Sequence, residues 1–411
     1  MTHKEWTAIL GWPGYRVYQQ ELNQEDKTLK LRVRRKPRHQ GLECSGCGRR
    51  RHAVQDVRER EIRDRPWSVY EVTVVVEVQR LPCPECGVKG ERIPPVPSKA
   101  PFSRRFEESL GQACESAAAS QVARRFPLPE TTVRAIDWRY LKRWSAQRRQ
   151  PALKQMGVDE IHLGNKTEFA TVVTNLGSGE PLWFGKERKK ETLEEYFRTQ
   201  LSPAQRRRIE SACVDMWRPF AVSIGEWAPE CRMVCDQFHI LQPAHEAVHE
   251  VRRAEFFRKG AKSREVVKGK RGLLLRRWIH LSAKKKQLLN ELFALNRRVM
   301  KAYFLKESLD RLWKYGSEGN LLRYLQSSTG QLRWQRLKPF QDLAQMLLDH
   351  LDGILNYCRT PVRFGVVEAI NGNIKALVTR GRGYKNLSDL LLKAQRMAVT
   401  NTEFVAFKKA A

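Results

Sequence analysis

From Lys154 onward the chain sets out strand-like and helix-like runs in an order that few architectures accept. KQMGVDEIHL, EFATVVTNL and PLWFGKER read as three consecutive strands with short connections, and Gly177 to Gly179 make one of the turns. A helix, ETLEEYFRTQL, and a second polar helix, SPAQRRRIE, come next. SACVDMW is a fourth strand, RPFAVSIGEWAP a helix and CRMVCD a fifth strand, and QFHILQPAHEAVHEVRRAEFF opens a long helix. Short apolar runs with strand character thus alternate with helical periodicity. A meander extended by strands that return through helical crossovers sets the first and fourth strands side by side. Asp159 lies in the middle of the first and Asp215 at the end of the fourth, so both are expected at one end of the sheet.

This order, β-β-β-α-β-α-β-α, is that of a ribonuclease-H-like α/β core. Asp159 and Asp215 sit in apolar runs, where an ionised carboxylate needs a charge partner. The net charge is +31, from 76 Lys+Arg against 45 Asp+Glu. A chain this basic holds polyanions, and carboxylates inside such a field are suited to a divalent metal beside a phosphodiester. Two carboxylates hold a pair of cations poorly. Glu368, in the probable helix VVEAINGNIK, is the candidate for the third. Asn371 and Lys375 lie three and seven residues on, share its face, and are read as active-site support. Between the long helix and Glu368 runs a basic, helix-rich stretch from about Gly260 to Arg359, read as a helical insertion in the catalytic fold.

Ahead of this core, Cys44 with Cys47 and Cys83 with Cys86 form two CxxC knuckles, each followed by glycine. Between them REIRDRPWSVYEVTVVVEVQRLP reads as two strands turning near Pro66. A strand pair that brings two knuckles together is a zinc ribbon, and four thiolates close a tetrahedral structural Zn²⁺ site with no open position. Arg49, Arg50, Arg51, Arg58 and Arg60 suit either DNA phosphate or a solvated basic surface. PPVPSKAP is a linker by composition. A first helix carries Phe106, Leu110, Ala113 and Ala117. A short helix follows with Ser120 as its N-cap, then a break at PLP, and then a helix with Pro129 in its first turn. The pair resembles an all-α helix-turn-helix, with Thr131, Thr132 and Arg134 as candidates for contact with DNA bases. The expected division is a small β zinc-ribbon module over 1–95, a helix-turn-helix over 100–150, the first part of the core over 151–255, the insertion over 256–359, and the final core helix and tail over 360–411.

Other features have plainer readings. His245, Glu246 and His249 match H-E-x-x-H, but nothing else supports a peptide cleft, and the match is read as chance on a helix surface. Trp217, Trp227, Trp278, Trp313 and Trp334 are read as packing residues, and Cys114, Cys213, Cys231, Cys235 and Cys358 as buried free thiols. Lys284 to Lys286 read as a solvated face touching backbone phosphate. No lipidation motif, secretory leader or apolar run of about 18 residues is visible, so no membrane is expected and a cytoplasmic, nucleoid-associated location is.

Paired CxxC near the N-terminus, GVDE, VDMW with CDQFH twenty residues on, and E-x-x-N-x-x-I-K followed by RGRGYKN form an ordered set over most of the chain. In this set the chain resembles the ISL-three-type family of insertion-sequence transposases, of the DDE class. The resemblance implies two Mg²⁺ ions, with Mn²⁺ as the alternative, held by Asp159, Asp215 and Glu368. It places the family's D-x-x-H signature on Asp236 and His239, near the active site. It implies strand cleavage and strand transfer on double-stranded DNA, at element ends and target, by at least a homodimer. A catalytically silent DNA-binding regulator descended from a transposase is the alternative, and a nuclease of the same fold is a third.

Overall fold

The computed structural model describes residues 1–36, 41–96, 101–163, 169–258, 268–360, 362–363, 365–381, 384 and 386–400. Residues 97–100 of the proline-rich linker, 259–267 at the start of the insertion, part of RGRGYKN and residues 401–411 lie outside the described residues. The chain forms two compact units, Met1–Arg148 and Arg149–Ala411.

The first unit opens with α1 (His3–Leu10), started by a capping box between Thr2 and Glu5 and ended by Gly11 at φ 60°. Then come β1 (Tyr15–Asn23), β2 (Thr28–Arg35), the small ribbon β3 (Leu42–Glu43) and β4 (Arg50–Arg51), β5 (Asp56–Trp67), β6 (Tyr70–Cys83) and β7 (Gly87–Gly90). The hairpin expected between the cysteine pairs is β5–β6, antiparallel, with Ser68 at φ 53° in its turn, two residues past Pro66. Sequence reading did not foresee β1 and β2. They extend the sheet to the order β1-β2-β6-β5, with β2 parallel to β6. Their inward residues Val17, Leu29, Leu31 and Val33 meet Ile62, Val74 and Val76 in one core with Trp6, Leu10 and Trp12.

Three helices complete this unit: α2 (Arg104–Ser116), α3 (Ala119–Arg125) and α4 (Glu130–Gln147). They close on Phe106, Leu110, Val122, Phe126, Val133 and Ile136. The short helix begins two residues earlier than expected. Ala118 is its N-cap and Ser120 lies inside it, and Pro129 is the cap of α4 rather than a first-turn residue. Two fully buried carboxylates fasten the helices. Asp64 of β5 accepts hydrogen bonds from Trp12 Nε1 (2.9 Å), Ser103 Oγ (2.8 Å) and Arg105 Nε (2.6 Å). Glu107 of α2 takes Arg139 Nε (3.0 Å) and Arg143 Nη1 (2.7 Å), both from α4.

The second unit is built on β8 (Gln155–His162), β9 (Phe169–Asn175), β10 (Glu180–Lys186), β11 (Ser211–Val214) and β12 (Arg232–Cys235). The sheet order is β10-β9-β8-β11-β12. The first three strands are an antiparallel meander, and β11 and β12 run parallel to β8. The connections are α5 (Lys190–Gln200), the single turn α6 (Pro203–Arg206) and α7 (Arg218–Trp227). The polar helix expected over SPAQRRRIE is therefore only this one turn, started by a Ser202–Gln205 capping box. Alternate residues of β8 feed opposite faces, as a strand requires. Met156 and Val158 pack with Leu193, Tyr196, Phe220 and Ile224, on the α5 and α7 side. Ile161 packs with Val366, Val367 and Ile370 on the other.

The long helix α8 (Gln237–Arg258) leads into α9 (Arg271–Leu275), α10 (Ala283–Leu295), α11 (Arg297–Leu309), α12 (Glu318–Trp334), α13 (Lys338–Asp349) and α14 (Leu351–Arg359). These share a separate apolar core with α8. LSAKKKQLLNELFALNRRVMKAYFL is two helices, because Asn296 breaks the run and caps the second through Val299 N (3.0 Å). The chain returns as α15 (Val366–Arg380) and α16 (Leu387–Thr400), which cover the Ile161 face of the sheet. Trp334 is the exception among the tryptophans expected to pack, at 80% exposed.

Candidate active site and zinc centre

The four knuckle cysteines come from the end of β6 and the turns beside β3 and β7. Their sulfurs lie within 4.8 Å of one another, and among the described residues no other group of three or more possible ligands meets that limit. Gly48 (φ 72°) and Gly87 (φ 68°) supply the left-handed turn after each pair. A Cβ on Gly46 would lie 2.8 Å from Cys86 Sγ, so the first knuckle closes only around glycine. Arg51 Nη2 reaches Cys83 Sγ at 3.3 Å and Cys47 Sγ at 4.0 Å. The guanidinium pulls the Cys83 thiol down to about 6, whereas desolvation and then Cys47 push Cys86 up to about 12. Four thiols this close cannot all ionise without a cation among them. The donor set, soft and fourfold, fits structural zinc.

At the other site, parallel register does the assembling. Val158 of β8 pairs with Val214 of β11, and Val214 pairs with Cys235 of β12. The next residue on each strand is an aspartate: Asp159, Asp215 and Asp236. Three carboxylates therefore stand in a row across three neighbouring strands. Asp159 Oδ1 accepts Glu160 N (2.8 Å), and its Oδ2 accepts Asn371 Nδ2 (2.7 Å) from α15. The helix reaches the strand because Gly157 has no side chain. A Cβ there would lie 2.6 Å from Val367 Cγ2. Burial pushes the Asp159 carboxyl above its usual range, and Asp236 and Asp215 add repulsion against the favourable Glu160 amide and His239.

Asp215 is partly buried. Its Oδ2 accepts Arg188 Nη2 at 2.6 Å, and its Oδ1 is 4.0 Å from His239 Nδ1. Arg188 also pairs with Glu160 and lies over the Trp217 ring at 4.7 Å. Sequence reading missed Arg188. It sits in a basic run, ERKK, that looks like any solvated turn. Asp236, 8% exposed, caps α8 through Phe238 N (2.7 Å), and its other oxygen is 3.8 Å from Cys213 Sγ. It braces the helix start, and the imidazole of His239 turns to Asp215.

Glu368 is exposed in the first turn of α15, one turn before Asn371. Asp159, Asp215 and Glu368 do not close to within 4.8 Å of one another. Two of the three expected acids are adjacent in register, and the third stands on the helix that crosses them. Asn371 Oδ1 is buried beside Asp159 with no hydrogen-bond partner among the described residues, an oxygen donor left for a cation. Lys375 is exposed one turn further along. On α4, Thr131 and Arg134 are exposed and Thr132 half-buried, with Arg134 tied to Glu130 at 2.6 Å.

Residues 156–394 match the ISL3 family model described as transposase, and residues 41–86 match the model described as zinc-finger of transposase IS204/IS1001/IS1096/IS1165. These spans contain the cysteine centre and the aspartate row with its crossing helix. The chain belongs to the ISL3 family of transposases. It is 31% identical over 396 residues to the transposase for insertion sequence element IS1001 of Bordetella parapertussis, covering 94% of this chain and 96% of that one. It is 24% identical over 389 residues to the transposase for IS1557 of Mycobacterium tuberculosis, covering 85% and 84%.

Proposed function

We propose that this chain is the transposase of an insertion sequence, which binds the element's terminal inverted repeats and cleaves and joins DNA strands with two divalent metal ions. The observation that carries this is the placement of Asp159 and Asp215 side by side, each the residue after the register pair Val158 and Val214 of two parallel strands, with Asn371 of a crossing helix bonded to Asp159. The sheet order β10-β9-β8-β11-β12 supports the ribonuclease-H-like reading of the core. The three-helix group with Thr131, Thr132 and Arg134 supports helix-turn-helix recognition of the ends, beside the zinc ribbon. Among the described residues no helix is long and apolar enough to cross a membrane.

Asp159, Asp215 and Glu368 are the residues that would hold magnesium. The bound ions supply Lewis acidity to the attacking hydroxyl and to the leaving oxygen of the phosphodiester. The chain's own part is orientation. Asn371 fixes the Asp159 carboxylate, Asp236 anchors the start of α8 and so the ring of His239, and Arg188 neutralises Asp215 and Glu160. Synapsis of two element ends requires at least a dimer.

The test is Mg²⁺-dependent cleavage of end-sequence duplex and its joining to target DNA. Asp159→Asn, Asp215→Asn and Glu368→Gln should each lower cleavage by more than about a hundredfold, the upper loss for residues one shell further out, while end binding persists. Full cleavage by a folded Asp159→Asn variant refutes the assignment. Cleavage without joining would make the protein a nuclease.

A further inference from the structure

The second half of α8 carries a feature that the aspartate row does not use. His249, Arg252, Arg253, Phe256 and Phe257 recur at helical spacing along one face, and Lys268 and Gly269 close the other side. They line an open cleft of about 390 Å³, the size range of small-molecule sites. Phe257 is 68% exposed, and its ring meets that of Phe256 edge-on at 5.1 Å. The cations crowd one another. The Arg252 guanidinium is held below its ordinary value by burial and then by Arg271 and Arg253, and His249 is lowered by burial and then by Arg252 and Arg271. Of the nearby acids, Glu246 and Glu250 are exposed and do not line the cleft, although Glu246 partly offsets the arginines at His249. Glu255 turns into the core, where it takes Asn296 Nδ2 (3.2 Å) and pairs with Arg258 and Arg298.

Cations near a helix C-terminus are favoured by the macrodipole, but that field gives nothing to an exposed phenyl ring. A groove with both needs a ligand with anionic and flat apolar parts. Duplex DNA hides its base faces, whereas an unpaired strand offers a phosphate and a π face at every nucleotide. We propose that this cleft binds a single-stranded DNA segment, with a base stacked on Phe257 and phosphates on Arg252 and Arg253. One continuous helix joins the cleft to Asp236. At 1.5 Å per residue His249 stands about 20 Å from the aspartate row, so a strand freed near a cut has a track to follow. The strand's origin rests on the transposase reading; the binding itself does not.

The experiment is titration of the full chain with a fluorescein-labelled 20-nucleotide mixed-sequence single strand, the corresponding duplex, and poly-glutamate. Phe257→Ala should weaken single-strand binding by about five- to a hundredfold, the range for one stacked base, and leave duplex and poly-glutamate binding within twofold. Phe257→Trp should restore it. Arg252→Ala with Arg253→Ala should flatten the salt dependence on single strands by about 1.4 in log–log slope, two phosphates' share. Unchanged single-strand binding by Phe257→Ala, or equal losses on all three ligands, overturns the proposal. End-DNA cleavage measured on the same variant keeps the two readings apart, because a variant that still binds single strands while the wild type cleaves ends refutes only the cleft.

Discussion

Glu107 shows how much one carboxylate can hold. It has no exposure, and two arginines of α4 close on it from α2. Removing Glu107 takes the partner from Arg139 and Arg143, which are 30% and 29% exposed and can turn to water, a loss of about 1–3 kcal/mol. Glu107→Ala should therefore lower the urea midpoint of the first unfolding transition of the full chain by that equivalent, with Glu107→Gln losing less. Nothing in FEESLGQ marks this glutamate as buried. Its burial depends on Arg139 and Arg143 arriving from another helix. The same holds for Arg188, whose partners Glu160 and Asp215 are 28 and 27 residues away in sequence. Asp159 and Asp215 were legible because an acid inside an apolar run has few bland explanations. Asp236 accepts Phe238 N at the start of α8, a contact that the D-x-x-H spacing alone does not record.

The contact between α15 and β8 depends on glycine. Gly157→Ala would set a methyl 2.6 Å from Val367 Cγ2 and 2.9 Å from Leu176 Cδ2. Overpacking of this kind costs about 1–3 kcal/mol, and here it also lifts Asn371 from Asp159. Cleavage should fall well beyond what the change in melting temperature explains, and Val367→Ala in the same chain should recover much of it. A cleavage rate that stays at wild type in Gly157→Ala would show that the Asn371–Asp159 bond does not matter. At this scale sequence reading succeeded where periodicity was clean, as in β8 to β12 and α8. It failed where pattern was weak. TLKLRVRR alternates like a strand, with Leu29, Leu31 and Val33 buried between basic residues, yet it stands outside the cysteine pairs on which the ribbon was read. In SPAQRRRIE the capping box starts a helix that only tertiary context could lengthen, and it does not.

The basic charge belongs to the whole chain, whereas the cysteine centre lies in the first unit and the separate helical core in the second. Metal removal should act on the first unit alone. Chelation, or Cys47→Ser, is expected to release one zinc per chain and to melt the β5–β6 ribbon. The fold around β8 should remain, because its apolar clusters share no residue with the cysteine site. Zinc content measured with thermal unfolding checks this, and a single transition that shifts as one would contradict it. Duplex binding should fall log-linearly with salt, as expected for a chain of net charge +31.

What the chain order settled by itself was local or additive: the knuckle spacing, the alternation of strands and helices, the net charge, and the presence of lone acids in apolar runs. These depend on neighbours within a few residues or on sums over all of them. The folded structure decided everything that depends on register and on approach between distant segments. It put the three aspartates on one level, brought Asn371 rather than Glu368 into contact with Asp159, and turned Arg188 onto Asp215. Each is a pairing across tens to hundreds of residues, where one step of strand register or one added methyl changes the partner, and no local pattern records such a choice.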